Sequence, residues 1–330
     1  MKVLKNIKVP TGNIVIMQGE MGKKLELLSL GDYGQQKNVK ADFLGLSNEV
    51  NGVNHGELLP LEEKWVITIS SQYGCSMGCT FCDVPKVGSG VNATYNDLLY
   101  QFATGISIHP EVKKTKRLNL HFARMGEPTW NLNVLTATES IYHSLKSKNW
   151  GFHPVLSTMM PKSNRLLQDF LFNWMELKND TLNGEAGLQL SINTTDDRLR
   201  SKSMRDNTLS LKEISRMVNS LPEPLGRKIA LNFALTEAPI DEIILADLFD
   251  PRYFMCKITP MHMTNACNEN NISTVDGYEK YYPYKSAEER LKSVGFDVLV
   301  FVPSYEEDLS RITCGNAILS GSNAEYSVEV

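Results

Sequence analysis

The stretch Trp65-Val-Ile-Thr-Ile-Ser-Ser-Gln-Tyr-Gly-Cys75-Ser-Met-Gly-Cys79-Thr-Phe-Cys82 joins an apolar strand to three cysteines at C-x3-C-x2-C spacing. Iron–sulfur clusters are normally held by four cysteine thiolates, so a set of three leaves one iron with an open position. A zinc knuckle and three unrelated cysteines are the competing interpretations. Zinc sites favour two separated Cys or His pairs, and no second pair lies near in the sequence. The spacing therefore favours a four-iron cluster with an open site.

Length and composition are those of a globular chain in a reducing compartment. A chain of 330 residues accommodates one α/β barrel, which often takes about 200–250 residues, and an appendage. No run reaches the roughly 20 apolar residues of a membrane span, and the N-terminal MKVLKNIKVP lacks the apolar core of a signal peptide. Six cysteines, three of them clustered, fit metal ligation better than disulfides. We expect a cytoplasmic protein without membrane contact.

Two basic groups stand out from a net charge of −4, which argues against a protein that coats nucleic acid broadly. Each group is either a solvated loop or helix face or a contact for nucleic acid, and the second is the better candidate for nucleic acid. The two groups are Lys113, Lys114, Lys116 and Arg117, and Arg198, Arg200, Lys202 and Arg205.

The pattern along the chain predicts a small β-rich element at residues 1–60 and a barrel at residues 61–330. A hairpin is predicted from Asn13–Met17 and Lys24–Leu28 around a Gly-containing turn. Seven strands then alternate with six helices. The strands are predicted at 65–71, 118–123, 154–157, 187–192, 229–235, 254–258 and 297–302, and the helices near 95–106, 135–145, 166–175, 211–221, 240–248 and 287–294. Alternation implies a parallel sheet, so we expect an α/β fold with a full or partial (β/α) barrel.

Polar residues follow several predicted strands, at the end where parallel barrels carry their active sites. The second strand ends in Met125-Gly126-Glu127-Pro128, where glycine allows close backbone approach and the carboxylate can accept from an ammonium group. A single polar strand end is usually a turn residue or a helix N-cap. Successive polar strand ends indicate a ligand site instead. The others are Leu156-Ser157-Thr158, Leu190-Ser191-Ile192-Asn193 and Thr259-Pro260-Met261-His262.

The cysteine spacing, with Phe81 before the third cysteine, resembles that of the radical S-adenosylmethionine (SAM) superfamily. There, SAM completes the cluster and is cleaved to a 5′-deoxyadenosyl radical. Further motifs over about residues 64–320 resemble the radical SAM RNA adenine methyltransferases, which methylate C2 of an adenine in 23S ribosomal RNA and transfer RNA and have C8-methylating relatives. These motifs are Ser70–Cys75, Gly126-Glu127-Pro128 with Asn131, Leu156–Thr158, Leu190–Asn193 and Thr313-Cys314-Gly315.

The resemblance implies a set of site residues and partners. Cys314 would carry the methyl group: its thiolate is methylated by one SAM, a radical from a second SAM takes hydrogen from the S-methyl group, and the methylene radical adds to the base. An RNA substrate and a one-electron donor such as a flavodoxin or ferredoxin are implied as partners. By the same resemblance Cys75, Cys79 and Cys82 hold a [4Fe-4S] cluster, Gly126, Glu127, Ser157, Ser191, Ile192 and Asn193 contact SAM, and His262 replaces a SAM-contacting asparagine.

Two features depart from that family. The family releases its RNA adduct with a cysteine seven residues before the first cluster cysteine, and Thr68 stands there. Cys256 and Cys267 are the spare thiols, and each is either a substitute or an ordinary residue of the sixth strand and its loop. A β-rich segment also stands in place of the family's helical RNA-binding domain. The alternatives are a diverged radical SAM enzyme acting on a nucleotide, DNA or a peptide, and a SAM or iron–sulfur binding protein without turnover.

Overall fold

A computed structural model describes residues 1–32, 49–50, 53–54, 58–274, 282–303, 307–308, 310–314, 316–320 and 328–329. Gly315 of the Thr-Cys-Gly motif lies outside the described residues. The strands are β1 Lys2–Val9, β2 Gly12–Gln18, β3 Lys24–Gly31, β4 Glu49–Val50, β5 Val53–Asn54, β6 Trp65–Ile69, β7 Gln72–Gly74, β8 Ser89–Asn92, β9 Leu118–Phe122, β10 Phe152–Thr158, β11 Gly187–Ser191, β12 Ile229–Leu235, β13 Phe254–Pro260, β14 Asp297–Val300 and β15 Val328–Glu329. The helices are α1 Tyr95–Ser107, α2 Asn133–Lys146, α3 Leu167–Glu176, α4 Asp197–Ser203, α5 Leu211–Val218, α6 Glu242–Leu248, α7 Asn265–Glu269, α8 Tyr282–Ser293 and α9 Ala317–Ser320.

One sheet of eleven strands organises the described chain, in the order β14-β13-β12-β11-β10-β9-β6-β3-β2-β1-β15. The seven strands from β6 to β14 in this order are parallel to their neighbours, and they are the seven strands predicted from the sequence. Within the described residues β14 ends the sheet instead of pairing with β6. The predicted α/β barrel is therefore confirmed in its partial form.

The N-terminal hairpin extends the barrel sheet. β2 pairs with β3 in antiparallel register from Gly12 with Leu30 to Gln18 with Lys24, which confirms the predicted hairpin. β3 then pairs antiparallel with β6, where Leu28 lies opposite Thr68. The division of the chain near residue 60 stays a prediction, since these segments share a sheet.

The core lies in two layers on the two faces of this sheet. The larger layer packs the strands against the helices and includes the edge-to-face contact of Phe122 and Trp174, whose centroids are 6.3 Å apart. A smaller layer joins the N-terminal hairpin to residues near the C-terminal end of the chain: Ile7, Val9, Ile14, Ile16, Leu28, Leu30, Ile312 and Ala317. None of the described helices has the length and apolar content that a membrane span requires.

Local hydrogen bonds fix the entry of the chain into the cysteine region. α1 begins with a capping box, in which the Thr94 side chain accepts from Asp97 N at 3.0 Å and the Asp97 carboxylate accepts from Thr94 N at 2.9 Å. The same carboxylate accepts from the Tyr73 hydroxyl at 2.6 Å. Because Tyr73 lies in β7, two residues before Cys75, the helix start and the first cysteine are held together.

Candidate functional site

The cysteine loop, residues 75–82, lies beyond the end of β6, the first parallel strand of the barrel. Cys79 is buried and Cys75 and Cys82 are partly buried, in a small cluster with Met77 and Met204. Burial raises the pKa of all three thiols, to about 11 for Cys75. In the part of the chain that the structure describes, no three His, Cys, Asp or Glu side chains are grouped as a single metal ion would require. The thiolates of a four-iron cluster contact separate irons, so three thiols gathered in one apolar cluster fit that donor set.

The turn after α4 braces one side of the cysteine loop. Thr80 N donates to Ser203 O at 2.9 Å, and Arg205 Nε donates to Gly78 O at 2.8 Å. Gly78 has φ +68°, and a Cβ there would lie 3.0 Å from Arg205 Cδ. The residue just before Cys79 is thus held as a glycine by its conformation and by this close approach.

α7 braces the other side of the loop. Thr264 Oγ1 donates to Phe81 O at 2.8 Å. The Asp83 carboxylate accepts from Asn265 N at 3.0 Å and from Ala266 N at 2.8 Å, so it caps this short helix from a distant part of the sequence. The cysteine loop is therefore held between two short helices that the sequence pattern did not predict.

Glu127 is a buried carboxylate fixed by three donors. Gly126 before it has φ +94°, and a Cβ there would lie 2.5 Å from Gln72 Cβ, so β7 leaves room only for glycine. Glu127 Oε1 accepts from Thr129 N at 3.1 Å and Thr129 Oγ1 at 2.8 Å, and Oε2 accepts from Met159 N at 2.8 Å. Burial raises the pKa of Glu127, and these hydrogen bonds oppose the rise. Glu127 therefore joins the exits of β9 and β10.

The carboxylate of Glu127 also acts on the cysteine loop. After burial itself, its negative charge contributes to the raised pKa of Cys75 and of Cys79. Gly126 and Glu127, predicted as SAM contacts, are thus near the cluster cysteines in the fold. Their contact with SAM stays a prediction.

The remaining predicted SAM residues fall in two places. Asn193, at φ +63°, accepts from Ala234 N at 3.2 Å and lines the side cleft, a cavity of about 530 Å³ next to Phe81 and Met261. Ser157 lies on β10 and donates to Gln189 at 3.2 Å.

Ser191 and Ile192 are positioned by a buried guanidinium. Arg200 Nε donates to Ile192 O at 2.9 Å, and Nη2 donates to Ser191 O at 3.3 Å and to Thr208 Oγ1 at 2.9 Å. Arg200 has no exposed surface. The prediction that Arg200 contacts nucleic acid is therefore wrong, because its guanidinium is buried and binds backbone carbonyls at the exit of β11. The side chain of Arg198, by contrast, is 93% exposed.

Cys314 lies close enough to the cysteine loop for its charge to act on Cys79 and Cys82. Its thiolate charge adds to the raised pKa of Cys82, second only to burial, and contributes to that of Cys79.

Thr313 Oγ1 donates to the Asp308 carboxylate, and His262 Nδ1 lies 3.2 Å from the same oxygen. His262 and Thr313 line the interior cavity, a space of about 630 Å³ inside the barrel, whereas Asn193 lines the side cleft.

A buried ion pair holds the Cys314 segment, residues 310–314 and 316–320. Arg124, at the exit of β9, and Glu26, on β3, form this pair with side chains 3% and 0% exposed. Arg124 Nη2 donates to Arg311 O at 2.7 Å, and Glu26 Oε2 accepts from Ile318 N at 3.1 Å. The pair thus clamps the backbone on both sides of Cys314. In the sequence, this pair is indicated by the acidic Glu26 within the apolar run of β3.

Thr68 and the two spare thiols, Cys256 and Cys267, lie in different positions relative to the interior cavity. Thr68 lines the interior cavity together with Thr313, the neighbour of Cys314. Cys256 is fully buried in the helix-facing core, while Met255 and Lys257 on either side of it line the cavity. Cys256 therefore faces away from the cavity. Cys267 Sγ contacts Phe81 O at 3.5 Å, so it packs against the cysteine loop.

Several relatives found by sequence comparison are dual-specificity RNA methyltransferases. The dual-specificity RNA methyltransferase RlmN of Campylobacter hominis is 26% identical over 224 residues, 67% of this chain and 58% of that protein. RlmN of Lawsonia intracellularis is 31% identical over 172 residues, 51% of this chain and 44% of that protein. The chain spans about half the length of the curated relatives it matches. No protein-family model matches it. A radical SAM methyltransferase from Sphaerobacter thermophilus shares the fold, with a TM-score of 0.64 at 17% identity over 97% of this chain and 79% of that chain.

Proposed function

We propose that this chain, a relative of the radical SAM RNA methyltransferases, methylates an adenine at C2 or C8, or a related base, in RNA through Cys314. The observation that carries the proposal is the attachment of the Cys314 segment to the brace of the cysteine loop, more than 200 residues earlier in the chain. Arg311 Nη1 donates to Met263 O at 2.6 Å, and the adjacent Thr264 Oγ1 donates to Phe81 O at 2.8 Å. A thiol that serves as methyl carrier has to lie near the group that generates the radical.

The cofactors of that family are a [4Fe-4S] cluster and SAM. When bound, they supply one electron, a radical and the methyl group. Cys75, Cys79 and Cys82 would hold the cluster, and cluster binding would replace protons on three thiols whose pKa values are raised.

The remaining site residues would bind and orient. Glu127, already fixed by Thr129 and Met159, would present a preformed acceptor to the amino group of SAM, and Asn193 would line the cleft for the rest of that molecule. Cys314 would lose its thiol proton before its sulfur accepts a methyl group. The clamp by Arg124 and Glu26 would keep that sulfur in place without touching substrate.

Release of the product is the step for which this chain has no matching cysteine. Thr68 lines the same cavity as Thr313, so a thiol at position 68 would face the region of Cys314. Threonine cannot form the disulfide that frees the base. Cys267 is the spare thiol in contact with the cysteine loop, and Cys256 faces the other side of its strand.

Partners and location belong to the same proposal. RNA is the substrate class of the relatives by name. The electron donor would be a flavodoxin or a ferredoxin, and the protein would work in the cytoplasm without a membrane. A nucleotide, DNA or a peptide are the alternative substrates.

Mass spectrometry of the peptide that contains Cys314 tests this function. Protein reconstituted with iron and sulfide and incubated with SAM should carry one methyl group on Cys314, and Cys79→Ala should lose both cluster and methyl group. Cys314→Ser should keep a full cluster while losing RNA methylation, because Cys314 is a carrier and not a ligand. Cys256→Ser is the matched control, since its thiol faces away from the cavity.

Two results would contradict the proposal. One is a fully loaded cluster with no methyl group on Cys314 after incubation with SAM. The other is loss of iron in Cys314→Ser, which would make Cys314 the fourth cluster ligand and favour an iron–sulfur protein without methyl transfer.

A further inference from the structure

The interior cavity has a second end, away from the cysteine loop. Lys64 precedes β6, Arg117 precedes β9 and Arg227 precedes β12, and all three line the cavity. In a parallel barrel the N-terminal ends of the strands lie opposite the edge that carries the active site. These three residues therefore mark the N-terminal end of the cavity, whereas His262 and Thr313 mark the end near Cys314.

Cations outnumber acids around this cavity. Lys64 is neutralised by Asp32, whose carboxylate lies 2.7 Å from its Nζ. Within the described residues no carboxylate lies within ion-pair distance of Arg117, Arg227 or Lys257, and Glu185, which pairs with His153, attracts the two arginines from farther away. Four cations line the space, Lys64, Arg117, Arg227 and Lys257, against two acids, Asp32 and Glu307.

Two buried polar atoms at the start of β9 point to a ligand. Arg117 Nε and Asn119 Oδ1 are buried and have no hydrogen-bond partner, and Asn119 is 8% exposed. Arg117 and Asn119 both line the interior cavity, so the donor of the first and the acceptor of the second adjoin the same space. Asn232 Oδ1 is a third unpartnered atom, and Asn232 lies in register with Lys257 on the next strand. Arg117 Nε thus lacks an acceptor, and Asn119 Oδ1 and Asn232 Oδ1 lack donors. A partly protonated oxyanion could satisfy both kinds of atom, because its oxygens accept and its hydroxyl group donates.

The electrostatics agree with this geometry. Burial lowers the pKa of Lys257 to about 8. Attraction by Asp32 raises this pKa, whereas repulsion from Arg227 and Lys64 lowers it further. Burial and the same cations lower the pKa of His121 to about 3, so His121 is neutral at physiological pH. Like charges enclosed together disfavour one another, and an anion between them would relieve the repulsion.

We propose that the N-terminal end of the interior cavity is a phosphate-binding site, in which Arg117, Arg227 and Lys257 donate to the anion and Asn119 accepts from it. Guanidinium groups match the geometry of phosphate oxygens, and lysine adds a point charge. The phosphate is either free or the terminal group of a small nucleotide. This site uses none of the residues assigned to the cluster, SAM or methyl transfer, so its failure would leave the proposed function intact.

Calorimetric titration of the purified full-length chain with inorganic phosphate tests the site. At constant ionic strength we expect saturable binding, weakened by about tenfold or more in Lys257→Met, because one hydrogen bond to a charged group is lost. Lys212→Met, an exposed lysine on α5, is the matched control and should bind as the wild type does. Tighter binding of adenosine 5′-monophosphate than of phosphate would identify a nucleotide as the source, and equal binding would identify the free anion.

Absence of saturable phosphate binding, or equal affinity in wild type and Lys257→Met, would overturn the proposal. Thermal unfolding in phosphate-free buffer provides a second measurement. A lysine repelled by its neighbours should be replaceable without loss, so the melting temperature of Lys257→Met should equal or exceed that of the wild type. A clear fall would identify Lys257 as a structural residue and would also overturn the site.

Discussion

Replacing both Arg124 and Glu26 should release the Cys314 segment while leaving the protein folded. Removal of one partner of a buried ion pair costs about 3–5 kcal/mol, whereas apolar replacement of both is often neutral. Arg124→Met alone should therefore lower the free energy of unfolding by about that amount, and Arg124→Met with Glu26→Leu should restore most of it. The hydrogen bond from Ile318 N to Glu26 is lost in the double variant all the same.

Hydrogen exchange followed by mass spectrometry measures that loss. A hydrogen bond to a charged group contributes about 1.5–3 kcal/mol, and Ile318 N keeps a second acceptor, Asn316 Oδ1 at 3.1 Å. The Ile318 amide should therefore exchange faster in the double variant, by up to roughly 150-fold. Cys314 should also be alkylated faster. The exposed pair Asp250 and Arg252 is the matched control, since its replacement should leave the free energy of unfolding nearly unchanged. Unchanged exchange at Ile318 in a folded double variant would refute the clamp.

Two further substitutions test the site itself. Glu127→Gln removes the charge of this side chain but keeps its size, and it should weaken SAM binding by about 10-fold or more in cluster-loaded protein. Glu139→Gln, at an exposed position, is the control. A lower melting temperature with unchanged SAM affinity would show that Glu127 only joins two strand exits. Thr68→Cys should release methylated RNA from a covalent complex that the wild type forms through Cys314 and holds, as judged by gel shift before and after nuclease treatment. Repeated turnover by the wild type would mean that another group frees the product, and Cys267→Ser would then be the next variant.

The sheet could be predicted because its strands depend on local pattern. β13, for example, was expected at Phe254–Ile258 and spans Phe254–Pro260. α7 was not predicted, because it has only five residues and few apolar side chains, and its first turn is capped by Asp83 from 182 residues away. Such a helix exists through a tertiary contact, which helix propensity does not contain.

The site was predictable only where its residues adjoin one another in sequence. The cysteine loop and Gly126-Glu127 are contiguous motifs, whereas the Glu26 and Arg124 pair joins residues 98 positions apart. Composition indicates that a charge in an apolar strand needs a partner, but it does not identify the partner. The position of Arg117 at the cavity could not be predicted for a different reason. Arg117 follows three lysines, and the sequence there resembles a solvated charge run. Its place one residue before β9 directs it to the cavity instead.

The clamp on the Cys314 segment also bears on the order in which the protein is made. Ile318 contacts Glu26 across 292 residues, so this contact closes only after residue 318 has left the ribosome. The hairpin and the strands behind the cysteine loop can pair earlier, since domains fold progressively from the N-terminus during synthesis. Until residue 314 has emerged, no Cys314 thiol stands beside Cys79 and Cys82. Iron and sulfide delivered to the nascent chain would therefore meet the three cysteines of the loop before Cys314 emerges.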